Sequence, residues 1–465
     1  MSTTLSRPTL EPARTPLGRG SITLMLRTTL SSIFSFEMLV VLYIYSNVFQ
    51  VLLPKLPIDS TIIFFVLSVG FGGLIMLREG VYLRGLYLVM AYLPYLFWGF
   101  LSIAWTPSRT MVFDNLKLLA TVDLAMLVLG GMVIANKRER VVRLMSLIVM
   151  MAMIVALLGI FIYIKFGSFK YASWGVGRVY NEWGRGVTNG GVVILILFLR
   201  SRFGSLRQLV LGGLLGICTL FILVSSSRSA LVALAVPAFL FMAINAAPPG
   251  RRGFALSRAQ ILLLLLGVAA VAGLGLLITS GFQIDTVQRL LKVLDQADNT
   301  DMVLEANRFD YYAAAIQFFF QSPVIGNGVR SFSVMLRGFE MDGVEPHNIF
   351  LELLCDTGLI GFVLFLLLLF QAFRPISLNR LRADPVLLCA TMLFTARFTV
   401  AMFGQDLAFQ NMLFFTLALM AIRPPGEEEM HALAGVEEDE AETELLEEEP
   451  EPAPAWAAAR PQRPT

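Results

Sequence analysis

The sequence predicts an all-α polytopic membrane protein of about twelve transmembrane helices with one large, partly helical outer loop. Three observations carry this expectation. First, 56% of the 465 residues are hydrophobic and 15% charged, with a mean hydropathy of +0.72, against about 45–50% and ~25% in soluble domains. Second, apolar runs near the ~20 residues that cross a hydrocarbon core recur along the chain. Third, Lys and Arg collect in every second connection between those runs.

The runs lie at 33–53, 60–77, 82–104, 115–135, 142–165, 186–199, 208–224, 229–246, 260–280, 348–372, 384–402 and 406–422. The sixth is the weakest, because Gly184, Gly186, Gly190 and Gly191 crowd its start. With the N-terminal segment 1–32 inside, Arg78 and Arg84 fall inside, then Lys137 to Arg143, Arg200 to Arg207, Arg251 to Arg258 and Arg374 to Arg382. This follows the positive-inside rule and returns the C-terminus to the cytoplasm. The first apolar run is long enough to span, so no cleavable signal peptide is expected. Cys218, Cys355 and Cys389 all sit in apolar stretches, which implies no disulfide framework.

Helices one to nine thus occupy 33–280, and helices ten to twelve 348–422. The tail 423–465 holds thirteen acidic side chains and reads as a disordered cytoplasmic segment. His431 lies within it and has no evident role. Glu37, Asp123 and Arg397 are read as intramembrane charges. Charges there are costly, so a structural pair is as good a reading as a functional role.

Residues 281–347 form a long loop on the outer side, and loops of that length are usually functional or disordered. This one has structure written into it. Thr286–Leu294 has helical apolar spacing. Arg308–Gln321 (RFDYYAAAIQFFFQ) is a second helical candidate that stops at Ser322-Pro323, followed by a Gly326-Asn327-Gly328 turn. Both can lie along a membrane surface. Basic residues recur on this outer side against the general trend: Arg109, then Lys170, Arg178 and Arg185 in the loop after the fifth run, then Arg289, Lys292, Arg308, Arg330 and Arg337. Arg228 sits in a connection so short that its guanidinium should lie at the membrane boundary against protein. Arginine forks bind phosphate oxygens bidentately. His347, one of two histidines, closes the loop where the tenth run begins. By residue type alone it is an ordinary helix-start histidine. Beside these arginines it suits a site for an anionic phosphate ligand.

The stretch from His347 resembles the hallmark of the O-antigen ligase and O-antigen polymerase superfamily. That hallmark is a His followed by Asn, Ser or Gln, nine residues, Gly, two residues, then a small or aromatic residue. Here it is His347-Asn348, Ile349 to Thr357, Gly358 and Gly361. Arg308-Phe309-Asp310-Tyr311-Tyr312 with Pro323 to Gly328, Ser227-Arg228, and Leu101-Ser102-Ile103-Ala104-Trp105 resemble further family patterns in the same order. The glycine-rich stretch from Arg178 to Gly191 departs from the family form, so either Arg178 or Arg185 can be its basic residue there.

The resemblance implies a metal-independent glycosyltransferase of the GT-C type, needing no cofactor, in the bacterial inner membrane. It implies a periplasmic site and a glycan donor carried on undecaprenyl pyrophosphate. The acceptor is lipid A-core for a ligase, or a second lipid-linked repeat unit for a polymerase of O-antigen or exopolysaccharide. Membrane lipids are the other expected partners, and nothing points to nucleic acid.

The chemistry of the residues agrees. A pyrophosphate leaving group needs charge neutralisation, which preorganised arginines (Arg228 and Arg308, with Arg178 or Arg185) supply. A sugar hydroxyl needs its proton removed, and His347 is the natural general base. Direct attack inverts the anomeric centre. Asn348, Gly358 and Gly361 are expected to be structural, since small residues let membrane helices approach closely. Glu345 and Glu352 are candidates to orient the imidazole. A transporter would tend to show internal repeats and midplane charges; the sequence has no obvious repeat and its polar interest lies at the outer interface, and a scaffold acting through the acidic tail is a third reading.

Overall fold

The computed structural model describes residues 32–49, 59–166, 179–201, 204–225, 227–245, 308–404 and 407–426. The ninth apolar run, the helical candidate Thr286–Leu294, Lys170, Arg178 and most of the acidic tail lie outside them. All regular structure among the described residues is helical. Seven helices there are long and apolar enough to cross a bilayer. They are α3 (Ser60–Glu79), α4 (Leu83–Leu101), α5 (Met111–Ile134), α6 (Arg138–Phe166), α8 (Leu206–Val224), α12 (Ile349–Phe373) and α14 (Pro385–Met402). Shorter helices complete the bundle: α1 (Phe36–Ile44), α2 (Ser46–Phe49), α9 (Arg228–Ile244) and α15 (Asn411–Leu419). The first run therefore breaks at Tyr45. That ring turns inward, 1% exposed, and its hydroxyl donates to the Gly186 carbonyl at 2.9 Å.

Helix ends follow their local chemistry. Asp59 caps α3 by accepting from the Thr61 amide at 2.8 Å. Asp384 caps α14 with Pro385 in the first turn, where a missing N–H costs nothing. Within α5, Leu119–Asp123 and Leu129–Ile134 wind as π-turns, which shift the helix face presented to its neighbours. At the second, Gly131 meets Gly85 of α4 backbone to backbone. Exposed Ile62, Val66, Phe71 and Leu74 run along α3. An apolar face of that kind is a liability in water and natural in lipid.

Two apolar cores stabilise the bundle. One joins α1, α6, α7 (Val179–Arg200), α8, α9 and α14 around Tyr45, Trp183 and Phe221. The other joins α4, α5, α12 and α15 around Tyr92, Phe365 and Phe414.

The helix α7 corrects the sequence reading. The glycine-rich stretch before 186 is not a loop: the helix starts at Val179, and Arg185 lies inside it, 8% exposed. The glycines are contact points. A Cβ on Gly184 would lie 2.8 Å from that of Ser227, and one on Gly190 would collide with the Ala152 side chain. Close packing on α6 and α9 outweighs the roughly 1 kcal/mol helix penalty of each glycine.

Basic connections gather at one end of the bundle. Arg138 grips Asp384 with two bonds of 2.7 and 2.8 Å, Arg140 and Lys137 bond Glu79 at 2.7 and 2.9 Å, and Arg143 bonds Glu37 at 3.1 Å. Arg382 donates to the Ile244 carbonyl at 2.7 Å and Arg380 to that of Ile422 at 3.2 Å. Glu37 thus belongs to this end and does not pair with Arg397. The helix α14 runs from here for 18 residues, about 27 Å at 1.5 Å per residue. Its far end, at Gly404, carries the candidate site.

Candidate active site

The segment from His347 to Gly361 is a broken helix. Asn348 caps α12, its side-chain oxygen accepting from the amides of Phe350 at 3.0 Å and Leu351 at 3.2 Å. Ten residues later Gly358 takes φ +63° and ψ −166°, a backbone region open essentially to glycine alone. The break frees two carbonyls and two amides, and buried backbone groups must find partners. The loop Pro323–Gly328 supplies all four. The amides of Asn327 and Gly328 donate to the carbonyls of Cys355 at 3.0 Å and Asp356 at 2.8 Å. Those of Leu359 and Ile360 donate to the carbonyls of Pro323 at 2.9 Å and Val324 at 3.1 Å. Any Cβ at Gly358 or Gly326 would collide with the facing backbone.

The edge of α4 locks this junction. Trp98 Nε1 donates to the Thr357 carbonyl at 3.0 Å and Trp105 Nε1 to that of Gly326 at 3.2 Å. Ser102 Oγ accepts from the Val329 amide at 3.1 Å. Gly361 leaves room for Thr357 and Trp98. Three stretches far apart in sequence therefore meet at one structural knot.

Two short helices pack onto this knot. Ala315 and Phe318 of α10 (Arg308–Gln321) meet Phe332 of α11 (Ser331–Arg337) and Cys355 of α12. Asp356 crosses over to cap α11, accepting from the Arg330 amide and the Ser331 hydroxyl, both at 2.9 Å. Glu340 clamps the start of α5, accepting from Ser108, from Thr110 and from the amides of Arg109, Thr110 and Met111. Dehydration opposes ionisation of Glu340, but these bonds outweigh it and bring its carboxyl down to about 2.

His347 stands at the rim of the knot with φ +53°, and Arg330 has φ +62°. Among the described residues these are the two non-glycine residues with left-handed backbone, a conformation that costs roughly 1–2 kcal/mol and concentrates at functional sites. One carboxylate lies between them: Glu345 is 3.4 Å from Arg330 and 3.7 Å from His347 Nδ1. Arg330 also meets Asp342 at 3.1 Å. His347 Nδ1 lies 3.0 Å from the Gly404 carbonyl oxygen. A carbonyl only accepts, so Nδ1 carries the hydrogen and the lone pair of the neutral ring is on Nε2. Burial lowers the imidazole below its ordinary value, the Gly404 bond opposes this, and the charge of Arg308 lowers it further. Tyr311 lies against the ring, centroids 6.1 Å apart.

Glu345 is thus beside the imidazole, whereas Glu352 turns away to accept from the Leu407 amide at 3.0 Å. Arg185 approaches from α7. It pairs with Glu182 at 2.8 Å, and a Cβ at Gly404 would lie 3.4 Å from its Nη2. Gly404 is shared between His347 and Arg185. Arg397, seven residues before Gly404, donates to Asn189 at 2.8 Å and to the Arg185 carbonyl at 3.3 Å. Arg228 begins α9 and is exposed, where the sequence placed it against protein; its neighbour Ser227 is buried against Gly184. The sequence reading missed Arg330 as part of the constellation, although its place just after Gly326-Asn327-Gly328 was a signal. It had no means of finding Gly404, which takes part through its backbone.

Residues 213–366 match the family model described as O-Antigen ligase. That stretch of the chain is similar to the O-antigen ligase family. A search of curated protein sequences finds no significant match. The matched stretch contains Arg228, Arg308, the Pro323–Gly328 loop, His347 and Gly358. Arg185, Arg397, Gly404, Trp98 and Trp105 lie outside it. Among the described residues no group of three His, Cys, Asp or Glu is disposed to hold a metal ion.

Proposed function

We propose that this protein transfers a glycan from undecaprenyl pyrophosphate to a sugar hydroxyl of lipid A-core, with inversion and without a metal, at the periplasmic face of the bacterial inner membrane. The observation that carries this reading is the His347–Gly404 bond, which leaves Nε2 of the neutral imidazole as the proton acceptor.

In the reaction, the acceptor oxygen attacks the anomeric carbon and its proton passes to Nε2. The bond from the anomeric carbon to the pyrophosphate oxygen breaks, and undecaprenyl pyrophosphate leaves with the electron pair. Arg308, whose charge already acts on His347, and Arg228, Arg185 and Arg178 are the proposed cations that neutralise the leaving group. The left-handed backbone at His347 aims the ring, and the knot at Gly358 holds that aim. Twelve spans in a GT-C arrangement is the architecture that goes with this reading.

A deletion strain examined for surface glycan tests it. Unattached lipid-linked polymer supports the ligase. Single-unit caps with lost polymer length would assign repeat-unit polymerisation instead, which uses the same His and Arg chemistry. Full glycan production by stably inserted His347→Ala and Arg228→Ala variants would refute the site. Chelator-sensitive activity of the purified protein would refute the metal-free mechanism.

A further inference from the structure

The end of the bundle opposite His347 holds a cavity of about 290 Å³ between α4, α12 and the chain after α15. Arg84 and Arg374 line it with Tyr87, Leu88, Gln371 and Ala372. Its chemistry is that of an amphiphile site: two guanidinium groups, and walls that are otherwise largely apolar.

Three carboxylates of this end are bonded to other cations, Glu37 to Arg143, Glu79 to Lys137 and Arg140, and Asp384 to Arg138. The Nη1 of Arg84 is buried and has no hydrogen-bond partner among the described residues. A buried donor left so is costly and calls for an explanation. Arg380 donates to the carbonyls of Pro375 and Ile422 and adds a like charge that Arg84 feels, partly offset by Asp384. The residues lining the cavity itself include two arginines and no carboxylate. Tyr87 and Phe370 stand exposed on the flanking helices α4 and α12.

From this we infer that the cavity binds the phosphodiester headgroup of an anionic phospholipid, with Arg84 and Arg374 on the phosphate oxygens and an acyl chain lying along the apolar flanks of α4 and α12. Basic pockets between transmembrane helices are suited to such headgroups, and the arginine fork matches phosphate geometry. The bound lipid supplies the acceptor that Arg84 Nη1 lacks and joins α4 to α12, the two helices that carry the knot at their other ends.

Full-length protein reconstituted in nanodiscs of phosphatidylcholine doped with phosphatidylglycerol tests this by native mass spectrometry of the retained lipid. Wild type is expected to retain phosphatidylglycerol in preference to phosphatidylcholine. Arg84→Gln and Arg374→Gln should each lower that retention about fivefold, and Arg84→Lys should keep most of it. Arg207→Gln removes an exposed arginine from the first turn of α8 and should leave retention unchanged. Equal retention of the two lipids, or an equal loss in Arg207→Gln, overturns the site. If inorganic phosphate alone raises thermal stability in an Arg84-dependent way and phosphatidylglycerol does not, the ligand is a free phosphate and the lipid assignment is overturned.

Discussion

The imidazole of His347 and the backbone carbonyl of Gly404 face each other at 3.0 Å, joining the start of one transmembrane helix to the end of another. This bond decides which nitrogen of the ring is free to take a proton. It also makes Gly404 the meeting point of His347 and Arg185.

The first prediction concerns pH. The neutral imidazole is the active form of the proposed base, and burial with the Arg308 charge lowers its pKa. Activity should therefore persist below pH 6.5 before falling on the acid side, where the ring takes up a proton. Arg308→Gln removes one lowering influence, so its acid limb should move to higher pH. A kcat/KM profile measured on both proteins checks the sign; a shift to lower pH contradicts it.

The knot should be unforgiving of a side chain at its centre. Gly358→Ala places a Cβ at φ +63° against the backbone of Val324 and Gly326. Strain of this kind costs about 1–3 kcal/mol before any clash is counted. Thermal unfolding in detergent, followed by tryptophan fluorescence, should show the loss, because Trp98 and Trp105 bond directly to this junction.

Glu340 is a pH-dependent clamp. Its carboxyl is held near 2 in the folded protein against an ordinary 4.5. A depressed folded pKa means that the clamp contributes fully above 4.5 and is lost as pH falls towards 2. Protection factors of the amides of 109–111, taken against the intrinsic exchange rate at each pH, should be high at neutral pH and fall over that window. Glu340→Gln should show the faster exchange at every pH; protection equal to wild type would contradict the clamp.

Asp384 serves two structures at once, capping α14 and gripping Arg138, with its own side chain 2% exposed. Asp384→Ala removes the cap and leaves a largely buried cation without its partner, a loss of about 2–4 kcal/mol. Because the residue lies about 27 Å from Gly404 along α14, the variant that remains folded should keep its kcat. Denaturation midpoints set beside turnover numbers separate the two effects.

What the sequence determined by itself is local and compositional. The long apolar runs named the helices α3 to α6, α8, α12 and α14, because about twenty apolar residues have few alternatives to spanning a bilayer. His347-Asn348 with Gly358 and Gly361 could be picked out because cap, break and close-packing residues lie at set intervals along one helix. Arg185 could not be placed that way. Its glycine neighbours read as a loop until α6 and α9 were there to fill the space they leave. Only the tertiary structure brought Gly404 to His347, Arg330 to Glu345, and the Pro323–Gly328 loop to the groups freed at Gly358. Those contacts join residues from 15 to 57 positions apart, and backbone carbonyls and amides, which every residue type carries, make most of them. Residue identity shows where a backbone can bend; the partner that meets the bend is set by packing.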